Sequence, residues 1–279
     1  MKSHTISWHP MRRIVAGIAT GAMLLVASGG AFAQSVELIP VDKVDADALG
    51  ALMDTYGYHL RTADRWIKAN TTPEQRIRST FNKVETNFKY ATIARFEYTY
   101  VGTDGNTHTK VYHSKSGPDV SKAFYGDGPL PPGVENVEKF FPLADEYSRA
   151  SPGNESKSKI PSSPAGGKDR ATDAELKAVR TIEADIVEGR VPGQGSVKGF
   201  VSKDLCDSCD NAVRVFAKEY NIDVKIDYFR EVGTPIEVEF TSLRKQAVNQ
   251  VRNVRNAPQP MFTLDDEYKG AVGCIRVGA

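Results

Sequence analysis

Two cysteines, Cys206 and Cys209, stand three residues apart in "SKDLCDSCDNAVRVF", just after an apolar run and at the head of a helical pattern. A helix N-terminus presents free N–H groups and favours negative charge, which suits thiolates. A CxxC there has three chemical readings: a metal site, a redox dithiol or a structural disulfide. Zinc needs further ligands, three protein groups and a water where the site is catalytic. "TDAELK" upstream supplies candidates: Asp173 and Glu175 both fall in the first turn of a preceding helix. One carboxylate can face a metal and the other the space beside it. Read alone, Asp173 is a good helix cap and Glu175 complements a helix dipole.

The elements around these residues read as helix, strand, helix, strand. "TDAELKAVRTIEADIVEG" is an amphipathic helix. "GSVKGFVS" is a strand, "CDSCDNAVRVFAKEY" a helix and "IDVKIDYF" a strand. This order places two helix N-termini at one end of neighbouring elements. Upstream, alternating runs flank "TDGN", a strong hairpin signal, and predict strands at Ile93–Val101 and Thr107–His113. Asp45 to Asn70 reads as a helix through Leu49, Leu52, Met53, Tyr56, Leu60 and Ile67. "NTTPEQ" predicts the start of another, with Thr72 as cap and Pro73 first, carrying Ile77, Phe81, Val84 and Phe88. Ser114 to Arg170 is rich in Gly, Pro and Ser and reads as a flexible insertion, with one short helix within "VENVEKFFPLADEY". "PIEVEF", "MFTLDD" and "GCIRV" are short strand candidates, and "SLRKQAVNQVRNV" is helical.

Helix–strand–helix carrying D-x-E and then C-x-x-C resembles the zinc-dependent nucleic-acid and nucleotide deaminase superfamily, and within it the bacterial toxin deaminases. The residues that carry the resemblance are Thr172, Asp173, Glu175, Lys177, Gly195, Cys206-Asp207-Ser208-Cys209, Phe216, Tyr220 and Ile222. It spans roughly Pro73 to Phe229, and the hairpin fits the family's first two strands. The resemblance implies an α/β fold of cytidine deaminase-like α/β/α layers. Its mixed sheet starts from the hairpin, and its helices bear the D-x-E and C-x-x-C motifs. A helical segment at 34–70 would precede a domain at 71–279 holding the flexible insertion 114–170.

The resemblance further implies Zn2+ held by Asp173, Cys206 and Cys209, with Glu175 as the proton shuttle for attack of an activated water on a nucleobase. Lys177 would supply charge on the helix face. The implied partners are a nucleic acid or nucleotide substrate and a cognate immunity protein. The chain departs from the family twice. Asp173 replaces the usual His ligand, giving a zinc site of formal charge −1, and Leu205 stands where Pro is common before the first cysteine.

The redox reading stays open. Strand, CxxC, helix, strand also opens a thioredoxin- or glutaredoxin-like fold, and Pro260 in "APQPMFTLDDEYKG" is a candidate for that fold's cis-proline. His113, at the end of the second hairpin strand, reads as a solvated strand end, with a substitute-ligand or substrate-contact role as the sharper alternative. Cys274 reads as a buried thiol.

Whole-chain properties bound the rest. The 279 residues carry 36 Lys and Arg against 35 Asp and Glu, a net charge of +1, so no global basicity points to nucleic acid or anionic membrane. Arg244, Lys245, Arg252 and Arg255 form a basic run read as a solvated helix face. Lys2, Arg12 and Arg13, then "IVAGIATGAMLLVA", then "AFA", form a secretory signal over Met1–Ala33, with Gln34 as the first mature residue. The apolar core is shorter than the ~20 residues a spanning helix needs. Export by a Sec-type signal to the periplasm or medium is expected.

Overall fold

A computed structural model describes residues 34–141, 147–151, 157–162, 170–230 and 232–256. The signal peptide at Met1–Ala33, the short strands proposed at "MFTLDD" and "GCIRV", Pro260 and Cys274 lie outside the described residues. Among the described residues no helix is long and apolar enough to cross a membrane.

The chain is α/β. Among the described residues its mixed sheet has six strands, β1 (Val36–Val41), β2 (Ile93–Val101), β3 (Thr107–Lys115), β4 (Tyr147–Arg149), β5 (Ser196–Val201) and β6 (Asp223–Phe229), in the order β1-β6-β5-β2-β3-β4. The helices are α1 (Ala46–Asn70), α2 (Arg78–Tyr90), α3 (Val120–Tyr125), α4 (Ala174–Val187), α5 (Asp207–Tyr220) and α6 (Pro235–Asn256). β2 and β3 form the antiparallel hairpin, with Ile93 opposite Lys115 and Val101 opposite Thr107. β5 pairs antiparallel with β2 and parallel with β6.

Alternation along β2 explains two cores. Ile93 joins Leu52, Trp66, Phe81 and Phe240 in a cluster with α1, α2 and α6. Ala94, Phe96 and Tyr98 join Val179, Ile182, Val213 and Phe216 from α4 and α5. Successive strand residues point to opposite faces, so one sheet serves helices on both sides.

Four expectations need correction. The segment 34–70 is not only helical: Val36–Val41 pairs in parallel with Val224–Phe229 and forms a sheet edge, so the sheet does not start from the hairpin. α1 follows, with Asp45 accepting from the Ala48 amide at 2.8 Å as its cap. The start at Thr72-Pro73 makes only a 3-10 turn, Pro73–Gln75. Buried Arg76 then folds back to give Nε to Thr71 Oγ1 at 3.0 Å and Nη2 to Thr71 O at 2.9 Å. That contact takes Arg76 out of helical register, and α2 begins two residues later.

"PIEVEF" is the first part of α6, not a strand. Its period-two apolar residues mask a longer helical spacing: Ile236 and Phe240 are buried, whereas Val238 is exposed.

Much of 114–170 is ordered. Tyr125 OH donates to Asn70 O at 2.8 Å, and Trp66 Nε1 to Glu135 O at 2.7 Å. "VEKF" forms a 3-10 turn, Val137–Phe140. Ile160 is fully buried, and its carbonyl accepts from Arg180 Nε at 3.1 Å and Nη2 at 2.9 Å. Isolated apolar residues in a polar segment find individual sockets, which average composition does not reveal.

Candidate metal centre

The site sits where the carboxyl end of β5 meets the N-termini of α4 and α5. β5 delivers the chain through Ser202, whose amide donates to Ile93 O at 2.9 Å and whose Oγ accepts from the Ile93 amide at 2.8 Å. Cys206 is then the N-cap of α5, and Cys209 lies in its first turn. On the other side, the end of β3 fastens the start of α4. Ser114 Oγ donates to Ala174 O at 2.6 Å, and Gly117 N to Thr172 O at 3.1 Å.

Asp173 occupies the N-cap position of α4, but its side chain makes no capping bond. Its Oδ2 lies 3.5 Å from Cys209 Sγ and 3.8 Å from Cys206 Sγ. The two sulfurs are 3.2 Å apart, far beyond the ~2.05 Å of a disulfide. One ligand atom from each of Asp173, Cys206 and Cys209 falls within a 4.8 Å group. These three residues could hold a metal ion.

Bond geometry tests that fit. A tetrahedral ion with bonds of about 2.3 Å to sulfur and about 2.1 Å to oxygen separates sulfur from oxygen by about 3.6 Å and sulfur from sulfur by about 3.8 Å. Both sulfur–oxygen distances match within a few tenths. The thiols need to open by roughly half an ångström. Three ligands leave a fourth tetrahedral position free.

Glu175 is 3% exposed, and its Oε2 lies 3.6 Å from Cys209 Sγ. Burial, opposed by its own backbone N–H and reinforced by the Asp173 charge, lifts its carboxyl to about 7. Burial and then the Glu175 charge push the Cys209 thiol far up. Without a cation between them, these acids hold one another's protons.

All four residues singled out by type and spacing therefore converge. Two neighbours were not singled out. Arg170 Nη1 lies 3.6 Å from Asp173 Oδ2. Lys203 Nζ donates to Tyr90 O at 2.7 Å, and its charge couples to Glu175 and Asp173. Neither has a motif around it; only Lys203's place between β5 and the CxxC hinted at proximity.

Two other readings are corrected. His113 is neither a solvated strand end nor part of the metal group. It is fully buried, stacked on Tyr58 at 4.2 Å between ring centroids and joined to Thr55 Oγ1 at 2.8 Å through Nδ1. Lys177 is not a surface charge. It is buried, and its Nζ donates to the carbonyls of Lys115 and Gly117, each at 2.9 Å.

Compared with known proteins, the chain matches no family model, no curated sequence and no solved structure.

Proposed function

We propose that the protein is an exported zinc-dependent deaminase of toxin or effector type, acting on a nucleobase in nucleic acid or a nucleotide. The observation that carries this reading is the convergence of two motifs distant in sequence. Asp173, Cys206 and Cys209 share one ligand group, and Glu175 stands beside it without belonging to it.

Asp173 Oδ2 and the two thiolate sulfurs would hold zinc, which when bound supplies Lewis acidity to a water in the fourth position. Glu175 moves the protons. Its carboxylate takes one from the attacking water and gives it to the departing amine, so that the exocyclic C–N bond breaks, a C–O bond forms and ammonia leaves. A carboxyl buried beside the ligand group is shielded from bulk water, which suits proton transfer in both directions. Arg170, paired to Asp173, offsets part of the negative charge that two thiolates and a carboxylate bring to the ion.

The carboxylates also bear on the dithiol alternative. A redox CxxC works through a stabilised thiolate, and cationic neighbours favour that form. Here Asp173 and Glu175 lie beside Cys209 and, together with burial, oppose its thiolate in the absence of a cation.

The test is ammonia release from cytosine- and adenine-containing nucleotides and single-stranded oligonucleotides, with wild type and Glu175→Gln. The reading expects turnover in wild type and a loss of at least a hundredfold in the variant, with metal content unchanged. Full activity in Glu175→Gln sinks the mechanism. Insulin reduction that depends on Cys206, without deamination, replaces it with the dithiol reading.

A further inference from the structure

One member of the basic run on α6, Arg244, does not lie on a solvated face, whereas its neighbour Lys245 is exposed. Arg244 is 7% exposed. Its Nη2 donates to the carbonyls of Phe88 and Lys89, the last turn of α2, at 2.5 and 2.6 Å. Its guanidinium carbon lies 5.3 Å from the ring centroids of both Tyr56 and Phe240. Its Nε is buried and makes no hydrogen bond among the described residues. The guanidinium is thus held rigidly, with the α2 carbonyls already neutralised.

Beside it, between α2 and α6, lies a half-open cavity of about 390 Å³ lined by Glu85, Lys89, Tyr90, Arg244, Lys245 and Asn249, among others. Three cations face one carboxylate. Polar and apolar atoms share the wall about equally, and its charged side chains are mainly cationic. It is a half-open cleft between two helices, large enough for a compact anion and reached directly from solvent.

We propose that this cavity binds the phosphate group of a small phosphorylated molecule, with Lys89 and Lys245 as the adaptable contacts and Arg244 as the fixed one. With Nη2 committed to the α2 carbonyls and Nε sealed from solvent, Arg244 presents Nη1 and a fixed positive charge, and phosphate oxygens accept well from such charged donors. The site is separate from the metal centre but near it. Tyr90, on the cavity wall, accepts from Lys203, whose charge couples to Arg244 on one side and to Glu175 and Asp173 on the other. The assignment does not depend on the reaction proposed above.

Calorimetric titration of the purified protein with inorganic pyrophosphate at low ionic strength tests it. Saturable binding is expected, weakened at least tenfold in Lys89→Gln/Lys245→Gln. Both lysines are exposed, so that variant keeps its fold. Binding is expected to persist in Lys139→Gln, outside the cavity, and in Cys209→Ser, which disables the metal group. Absence of saturable binding overturns the proposal, as does equal binding in the double variant. Loss of binding in Cys209→Ser overturns it too, by moving the anion to the metal centre. Binding of a 5′-dephosphorylated single-stranded oligonucleotide without pyrophosphate binding also overturns it, in favour of a nucleic-acid surface.

Discussion

Ser114, at the end of β3, donates its hydroxyl to the carbonyl of Ala174 at 2.6 Å, the peptide between the candidate ligand Asp173 and the candidate shuttle Glu175. Ser114 is fully buried, and the bond joins a sheet strand to the first turn of α4. The backbone that carries both acids is therefore set by the hairpin.

Ser114→Ala removes that donor without touching any ligand. The Ala174 carbonyl, in the first turn of α4, keeps its helical bond, so the loss is that of one net hydrogen bond, about 0.5–1.5 kcal/mol. We expect this loss in urea denaturation, together with a zinc affinity at least fivefold weaker by competition with a chelating dye. Unchanged affinity would show that α4 is placed without the hairpin.

Ile160→Ala tests the order in the insertion. Ile160 is fully buried against the α4–α5 core. Truncation of such a residue costs about 2–5 kcal/mol. A flexible linker would show no change in urea midpoint.

Gly195→Ala probes a residue that the motif comparison singled out for no chemical reason. A Cβ there would stand 2.4 Å from Thr99 O and 2.6 Å from the Tyr98 ring. Backbone cannot yield as a flexible side chain does, so overpacking costs roughly 1–3 kcal/mol. A variant as stable as wild type would contradict the close approach of this strand lead to β2.

Lys115 and Lys177 give stability a pH dependence of definite sign. Burial, aided for Lys115 by the Lys177 charge and for Lys177 by Arg149, pushes both ammonium groups down to about 7. In the unfolded chain each returns to about 10.4. Between these values the unfolded state binds more protons, so stability rises with pH from about 7 towards about 10. The limiting slope is roughly 1.4 kcal/mol per pH unit for each lysine. Urea midpoints are expected to be higher at pH 9 than at pH 7.5, with a flatter profile in Lys115→Met. A profile that falls over this range in wild type and is unaltered in the variant would contradict the burial of these charges.

Local pattern carried a large part of this structure. The hairpin was legible because Asp104-Gly105 lies between two alternating runs, and β2 begins and ends where that alternation does. The candidate metal group and the carboxyl beside it were legible because chemistry fixes residue types: two thiols and one carboxylate as ligands, with a second carboxylate two residues on. The parts that were not legible depend on distant partners. β1 is short, contains Pro40, and becomes a strand through pairing with β6, far along the chain. Arg76 ends one helix and delays the next through contacts to Thr71. Arg170 and Lys203 reach the site by folding, and Arg244 is buried by rings from α1 and its own helix. No window of sequence contains those contacts.

Zinc per chain, measured by elemental analysis of reduced wild type, Asp173→Ala and Cys209→Ser, addresses the central claim most directly. One ion in wild type, and clear loss in each variant, is the predicted result, because all three ligands share one group. A metal-free wild type that cycles Cys206 and Cys209 as a disulfide, or one whose zinc survives loss of Asp173, would contradict it.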